Sequence, residues 1–287
     1  MSATEPTESA VTTPNQFVES HGRRIAYRSI GTGKPIVLCT RFRGNMDVWD
    51  PAFLDALAAR GFRVITFDYS GLGLSTGEKD YSPFALAKDA RDLIEALDLK
   101  SVVIGGWSLG GLGAQVVVAM YPERLTHAVL LGTSPPGPNV KLAEQLFYDT
   151  ASKPVNSFED EIILFFEPRS QASREAARRS VDRIAQRTEG RSVPVPVDWA
   201  AAYIGDKPKN PLFPADPILQ ALKTTRLPIL HVAGDHDIIC PVENWYALNQ
   251  ELPTVQLLTY PRAGHGPHHE HPEATAEHIA TFVRSTS

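Results

Sequence analysis

A serine hydroxyl attacks a carbonyl only when a neighbouring base takes its proton and fixed N–H groups hold the charge that develops. Gly106-Trp107-Ser108-Leu109-Gly110 offers a serine suited to that work. The apolar, β-type run Ser101-Val102-Val103-Ile104-Gly105 leads into it, and a helical pattern from Leu112 to Met120 leads away. A G-x-S-x-G between strand and helix forms a sharp turn, the nucleophile elbow, that lifts the hydroxyl above the sheet. Its glycines allow the turn because they carry no Cβ to clash. Ser108 is therefore the candidate nucleophile. The Leu109 N–H, at the start of the helix, is a candidate oxyanion donor in a place where the helix dipole also favours negative charge.

The candidate base is His265 in Ala263-Gly264-His265-Gly266, a glycine-flanked loop able to bend toward the elbow. Neutral imidazole can take the Ser108 proton and later return it to the leaving group. His268, His269 and His271 follow closely, but their spacing fits neither a helical pair nor a zinc finger, so no metal is expected. They read as a solvated loop and helix start. The other five histidines read as structural or surface residues. Gly234-Asp235-His236-Asp237-Ile238-Ile239-Cys240-Pro241 supplies two rival acids, Asp235 and Asp237. An acid here would accept the second imidazole proton and fix the tautomer.

These groups are far apart in the chain, so a scaffold must gather them. Strand patterns recur at 17–19, 23–28, 35–39, 62–67, 101–105, 127–131, 227–233 and 254–258. Helical patterns fall between them at 50–60, 82–97 and 112–120, and later at 243–252 and 272–284. Short apolar strands alternating with helices predict an α/β fold, a mostly parallel open sheet of about eight strands with helices on both faces. From about 135 to 216 the rhythm breaks into helices and proline-rich connectors, which predicts a helical cap inserted after the sixth strand. The domain reading is a tail at 1–16, a core at 17–135 and 217–287, and a cap at 136–216. The tail is rich in Thr, Ser, Glu and Pro and lacks the basic start and apolar stretch of a signal peptide.

The chain has 287 residues, 43% hydrophobic, with net charge −5. That length supports a sizeable core, and the charge gives no basic footprint for nucleic acid. No run reaches the roughly 18 apolar residues of a membrane helix. Two cysteines, Cys39 and Cys240, make no disulfide scaffold, so a cytoplasmic location is expected. The glycines at 71 and 73 lack the lysine of a P-loop.

Four segments together carry a resemblance: the elbow, Asp68-Tyr69-Ser70-Gly71-Leu72-Gly73-Leu74-Ser75, the 234–241 segment and the 263–266 loop. From Phe17 onward, the cap apart, the chain resembles the α/β-hydrolase family. The order Ser, Asp, His is the one that fold uses. The resemblance implies Asp237 as the acid, three residues after Gly234 and four before Pro241, and Asp235 as a strand-end residue. It implies a second oxyanion donor from the loop after the 35–39 strand, where a His-Gly pair is expected. Thr40-Arg41 stands there instead, which makes the Phe42 N–H the donor and brings a Cβ and a long cation into the loop. Some relatives keep their acid after the sixth strand, where this chain has Thr133-Ser134-Pro135.

Around this centre the substrate-binding candidates are Arg41, Trp107 and Trp199. Arg41 either points into the pocket to bind a carboxylate or carbonyl, or turns away to pair with Asp47, Asp50 or Asp68. Trp107 either walls the acyl pocket or fills core, and Trp199 is placed at the cap entrance. The arginines at 169, 174, 178, 179, 183, 187 and 191 read as a solvated face of a cap helix. The resemblance implies a cofactor-free serine hydrolase acting on a small to medium carboxylic ester or lactone through an acyl-enzyme. The alternatives are carbon–carbon bond hydrolysis, perhydrolysis on the same triad, and a non-hydrolytic ligand-binding member. No nucleic-acid or membrane partner is expected.

Overall fold

The computed structural model describes residues 9–286. Its eight strands are β1 (Gln16–Ser20), β2 (Arg23–Ile30), β3 (Lys34–Cys39), β4 (Phe62–Phe67), β5 (Val102–Trp107), β6 (Leu125–Leu131), β7 (Ile229–Gly234) and β8 (Val255–Tyr260). They form one open sheet in the order β1-β2-β4-β3-β5-β6-β7-β8. Only β1/β2 and β2/β4 pair antiparallel; the rest of the sheet is parallel. Every residue of β5 and β7 is buried, as expected of strands covered on both faces.

The helices are α1 (Pro51–Ala59), α2 (Pro83–Ala96), α3 (Leu109–Met120), α4 (Gln145–Ala151), α5 (Phe158–Phe165), α6 (Gln171–Ala185), α7 (Val197–Ile204), α8 (Asp216–Thr224), α9 (Glu243–Tyr246), α10 (Pro267–Glu270) and α11 (Pro272–Ser285). Their starts follow capping chemistry. The Asp50 carboxylate accepts from the Ala52 N–H before Pro51, and the Ser82 hydroxyl accepts from the Ala85 N–H before Pro83. α1 and α11 pack on one face of the sheet, and α2, α3 and α8 on the other, giving two core layers.

The chain leaves β3 toward α1 on one face and leaves its neighbour β5 toward α3 on the other. That divergence makes a crevice at the carboxyl ends of β3 and β5, the topological switch point where open α/β sheets bind ligands. Ser108 and the 40–44 loop flank it.

Helices α4 to α8 all lie between β6 and β7. Leu164 and Phe165 of α5 are buried over the crevice, and α8 returns to the sheet against α3.

Residues 1–8 of the expected tail lie outside the described residues, but residues 9–16 do not form a loose tail. The Asp55 carboxylate accepts from the Ser9 hydroxyl and the Ala10 N–H, and Arg187 donates to the carbonyls of Ala10, Val11 and Thr13. Gln16 already belongs to β1. This anchoring comes from residues distant in sequence and leaves no local trace. The helix expected at 243–252 is shorter, with α9 ending at Tyr246 before a run of turns.

Of the seven arginines expected on a solvated face, Arg169, Arg178, Arg179 and Arg191 are exposed, whereas Arg174 and Arg183 are half-buried. Arg183 forks onto Asp50, the cap of α1, through two bonds of 2.8 and 2.5 Å, and Arg187 is buried. Arg174 pairs with Glu159 and Arg178 lies over the Phe158 ring, so these arginines tie α6 to α5, and Arg183 ties it to the start of α1.

Candidate active site

Ser108 sits between β5 and α3 with φ 57° and ψ −121°, a conformation that costs a non-glycine residue on the order of 1–3 kcal/mol and persists only when its surroundings fix it. Two neighbours do so. The Ser108 N–H donates to the Leu131 carbonyl at 2.9 Å, and the Thr133 hydroxyl donates to the Ser108 carbonyl at 2.7 Å. Gly110 meets the 40–44 loop so closely that a methyl there would overlap the carbonyls of Cys39 and Thr40. That contact brings the loop carrying Phe42 against the first turn of α3. Leu109 is the first residue of α3, so its N–H has no intrahelical acceptor.

The His265 imidazole is buried. Its Nδ1 bonds the Asp237 Oδ2 at 2.7 Å, and its Nε2 has no hydrogen-bond partner among the described residues. His265 and Ser108 line the same cavity. Asp237 Oδ1 accepts from the N–H groups of Ile239 and Cys240, each at 2.8 Å. Burial opposes the Asp237 charge, but His265 and these two N–H groups together hold its carboxyl below the usual value. The rival acid is elsewhere: Asp235 accepts from the Arg262 N–H and contacts the His236 ring, and is exposed. With Nδ1 tied to a charged carboxylate, the free Nε2 is the basic nitrogen.

Two cavities meet at Ser108. One, of about 130 Å³, is lined by Arg41, Phe42, Arg43, Glu161, Phe165 and His265, among others. The other, of about 310 Å³, is mostly apolar, with Leu109, Leu112, Phe147, Tyr148, Leu212 and Ile239 in its wall.

Of the two readings of Arg41, the pocket-facing orientation is the one found. Asp47, Asp50 and Asp68 are occupied by Arg28, by Arg183, and by the Met46 N–H, Leu74 N–H and Ser192 hydroxyl. Arg43 turns toward the cap and donates to the carbonyls of Ala151 and Lys153.

Of the two readings of Trp107 the core one is found, and Trp199 does not reach the cavities at Ser108. Trp107 lines neither cavity at Ser108; it is core, and its Nε1 donates to the His265 carbonyl at 2.9 Å, bracing that loop. The strand's alternation turns it to the face opposite Ser108. Trp199 also lines neither cavity. It packs on Tyr81 at 4.7 Å and Tyr203 at 5.1 Å between ring centroids, and those tyrosines form the wall instead.

His268 and His269 are not solvated. Both are buried in α10, and His268 packs on Trp107, Trp49 and Phe53. Burial pushes both below the ordinary histidine value, His269 to about 4.

Sequence reasoning passed over two positioning residues. The Tyr69 hydroxyl donates to the Thr40 carbonyl at 2.9 Å, and the Tyr81 hydroxyl accepts from the Arg43 N–H at 3.0 Å. Tyr69 had a signal: β3 and β4 pair in parallel, so the residue just past β4 must lie beside the loop leaving β3.

The comparisons agree with this architecture. Residues 34–272 match the model of the alpha/beta hydrolase fold family, and the chain belongs to that family. It is 27% identical over 269 residues to the "Putative non-heme bromoperoxidase BpoC" of Mycobacterium tuberculosis, covering 91% of this chain and 98% of that protein. It is also 27% identical to the pimeloyl-[acyl-carrier protein] methyl ester esterase of Aeromonas hydrophila, over 90% of this chain and 99% of that one. An alpha/beta hydrolase fold protein from Chitinophaga pinensis superposes with a TM-score of 0.81 at 28% identity, over 96% of this chain and 99% of the other. The relatives thus include esterases and bromoperoxidases within one hydrolase superfamily.

Proposed function

We propose that the chain is a serine hydrolase that cleaves a small to medium carboxylic ester or lactone through an acyl-enzyme. One observation carries the reading: a buried imidazole, fixed by a charged carboxylate on Nδ1 and unpartnered on Nε2, shares a cavity with a strained elbow serine. His265 takes the Ser108 proton as the hydroxyl attacks. The N–H groups of Leu109 and Phe42 stabilise the oxyanion, and His265 passes its proton to the departing alcohol. Water activated by the same imidazole then attacks the acyl-enzyme, and Ser108 is regenerated. Each oxyanion donor would lower the barrier by roughly 3–4 kcal/mol. The triad, the oxyanion pair and the role of α4–α7 as a cap belong to this proposal.

A panel of p-nitrophenyl esters and lactones tests it. Wild type should turn over at least one series, and Ser108→Ala and His265→Ala should lose it by about 10³-fold or more. Turnover surviving in Ser108→Ala would sink the reading. Perhydrolysis is the second reading, favoured by the name of the mycobacterial relative. Hydrogen peroxide would replace water in attacking the same acyl-enzyme, releasing a peracid. Adding peroxide to the ester assay distinguishes them, since only perhydrolysis yields peracid above the uncatalysed level.

A further inference from the structure

We propose that Arg41 is an anion-binding subsite and that the substrate carries a carboxylate on one arm and an apolar group on the other. This rests on the serine-hydrolase reading and adds a substrate class to it.

The other arginines with little exposure each lie against a carboxylate: Arg23 against Asp89 and Asp92, Arg28 and Arg187 against Asp47. Arg28 pairs with Asp47 at 2.7 Å, and Arg187 donates to three carbonyls. Arg41 is different. Among the described residues its side chain makes one hydrogen bond, from a terminal nitrogen to the Phe42 carbonyl at 2.9 Å, and no ion pair, and its Nε is buried without a hydrogen-bond partner. A desolvated donor left unpaired is costly, and at Arg41 no carboxylate stands beside it to offset that cost. The Phe165 ring at 4.3 Å and the Trp107 ring at 5.2 Å hold the guanidinium by cation–π contact. Those contacts use its faces and leave N–H edges for a planar, bidentate acceptor.

Charge in the cavity points the same way. Arg41 and Arg43 both line it, and Arg43 bonds only carbonyls and an amide oxygen. The one carboxylate in the same wall is Glu161, which makes no ion pair among the described residues. Among the residues that line this cavity, the cations therefore outnumber the carboxylates two to one. On the other side of Ser108 the wall is mostly apolar, with Lys209 its one charged residue, so a carbonyl at the nucleophile would have two arginines on one side and a largely hydrophobic wall on the other.

The test compares matched pairs that place the carboxylate on either arm. On the acyl arm, p-nitrophenyl hydrogen adipate is set against p-nitrophenyl hexanoate; on the alcohol arm, 4-acetoxybenzoate against 4-tolyl acetate. At fixed ionic strength, wild type should favour the anionic member of at least one pair by tenfold or more in kcat/KM. Arg41→Gln should remove that preference, Arg41→Lys should keep part of it, and Glu161→Gln should increase it. Calorimetric titration with adipate reads the subsite without turnover, and Arg41→Gln should weaken adipate binding at least tenfold. Labelling by a fluorophosphonate probe monitors whether each variant keeps its nucleophile. Adipate binding equal in wild type and Arg41→Gln, or an anionic preference that survives Arg41→Gln, overturns the subsite and leaves the hydrolase reading standing. Failure of wild type to label strikes the hydrolase reading instead.

Discussion

At the residue scale the decisive contact is the 2.7 Å bond between His265 and Asp237, with its carboxylate held by two backbone N–H groups. An amide at 237 would have to present its oxygen to those donors and its NH₂ to the imidazole, forcing the wrong tautomer. Asp237→Asn should therefore lower kcat by roughly 10³–10⁴ with little loss of fold. Asp235→Asn, which touches only Arg262 and His236, should stay within a few-fold of wild type, and steady-state kinetics on both variants will show it. Equal losses would mean that the assignment of the acid is wrong. Ser108 and His265 were readable as candidates because each sits in a short motif whose geometry is local, whereas Asp237 was separated from Asp235 only by the family resemblance. The direction of Arg41 was not readable, because it depends on Phe165 arriving from α5, more than a hundred residues away. The burial of His268 and His269 was hidden for a similar reason. A histidine-rich tract looks polar, and only packing against Trp107 and Trp49 makes it core.

At the scale of elements the question is how a loop with Thr40-Arg41, in place of the expected His-Gly, still reaches the start of α3. Three restraints hold it: Tyr69 on the Thr40 carbonyl, Tyr81 on the Arg43 N–H, and a turn in which the Gly44 N–H donates to the Arg41 carbonyl at 3.0 Å. Arg43 takes a positive φ of 55° within that turn, so the glycine missing at 41 is not replaced by one at the bend. Tyr69→Phe leaves a buried carbonyl without its donor, and should cost about 1–2 kcal/mol in chemical denaturation. If the loop also supplies an oxyanion donor, this variant should lower kcat more than it raises KM. A variant that loses stability with kcat intact would separate the loop from catalysis. Gly110→Ala presses a methyl onto the Cys39 and Thr40 carbonyls, two backbone groups that cannot swing aside. Its predicted result is a loss of several kcal/mol or a failure to accumulate folded protein. Strand periods and the elbow made the core elements legible, whereas the loop's path was not, since its restraints come from β4 and the segment before α2.

At the scale of the whole molecule the eight-stranded sheet was legible because alternating apolar strands and helices admit few arrangements. The docking of residues 9–15 was not, because Asp55 and Arg187 do it from a distance. The same fold buries several titratable groups, and these set its pH response. Burial pushes His231 down to about 3 and His269 to about 4, and lowers His268 as well. An unfolded chain binds protons at these imidazoles below about 6.5, while the folded one refuses them until much lower. Stability from this source is present above 6.5 and is lost as pH falls toward 4, with a limiting slope of about 1.4 kcal/mol per pH unit for each histidine. Glu270 acts in the opposite sense. Burial, with Glu167 and Asp235 adding like charge, pushes it up to about 7, so it costs stability as pH rises from about 4.5 through 7. Burial also lowers His127 to about 4 and lowers His271, so five histidines against one glutamate predict a falling melting temperature from pH 6.5 to pH 5. A flat profile across that interval would contradict this assignment. Glu270→Gln should raise the melting temperature at pH 8 by removing a buried charge, and should steepen the acid-side fall.

The most direct test of the account is intact-mass and peptide analysis after exposure of folded protein to a fluorophosphonate. A single adduct on Ser108, abolished by heat unfolding and strongly slowed in His265→Ala, is the predicted result. Folded protein that carries no adduct, or carries it on another residue, would mean that the elbow serine and the buried imidazole do not work together.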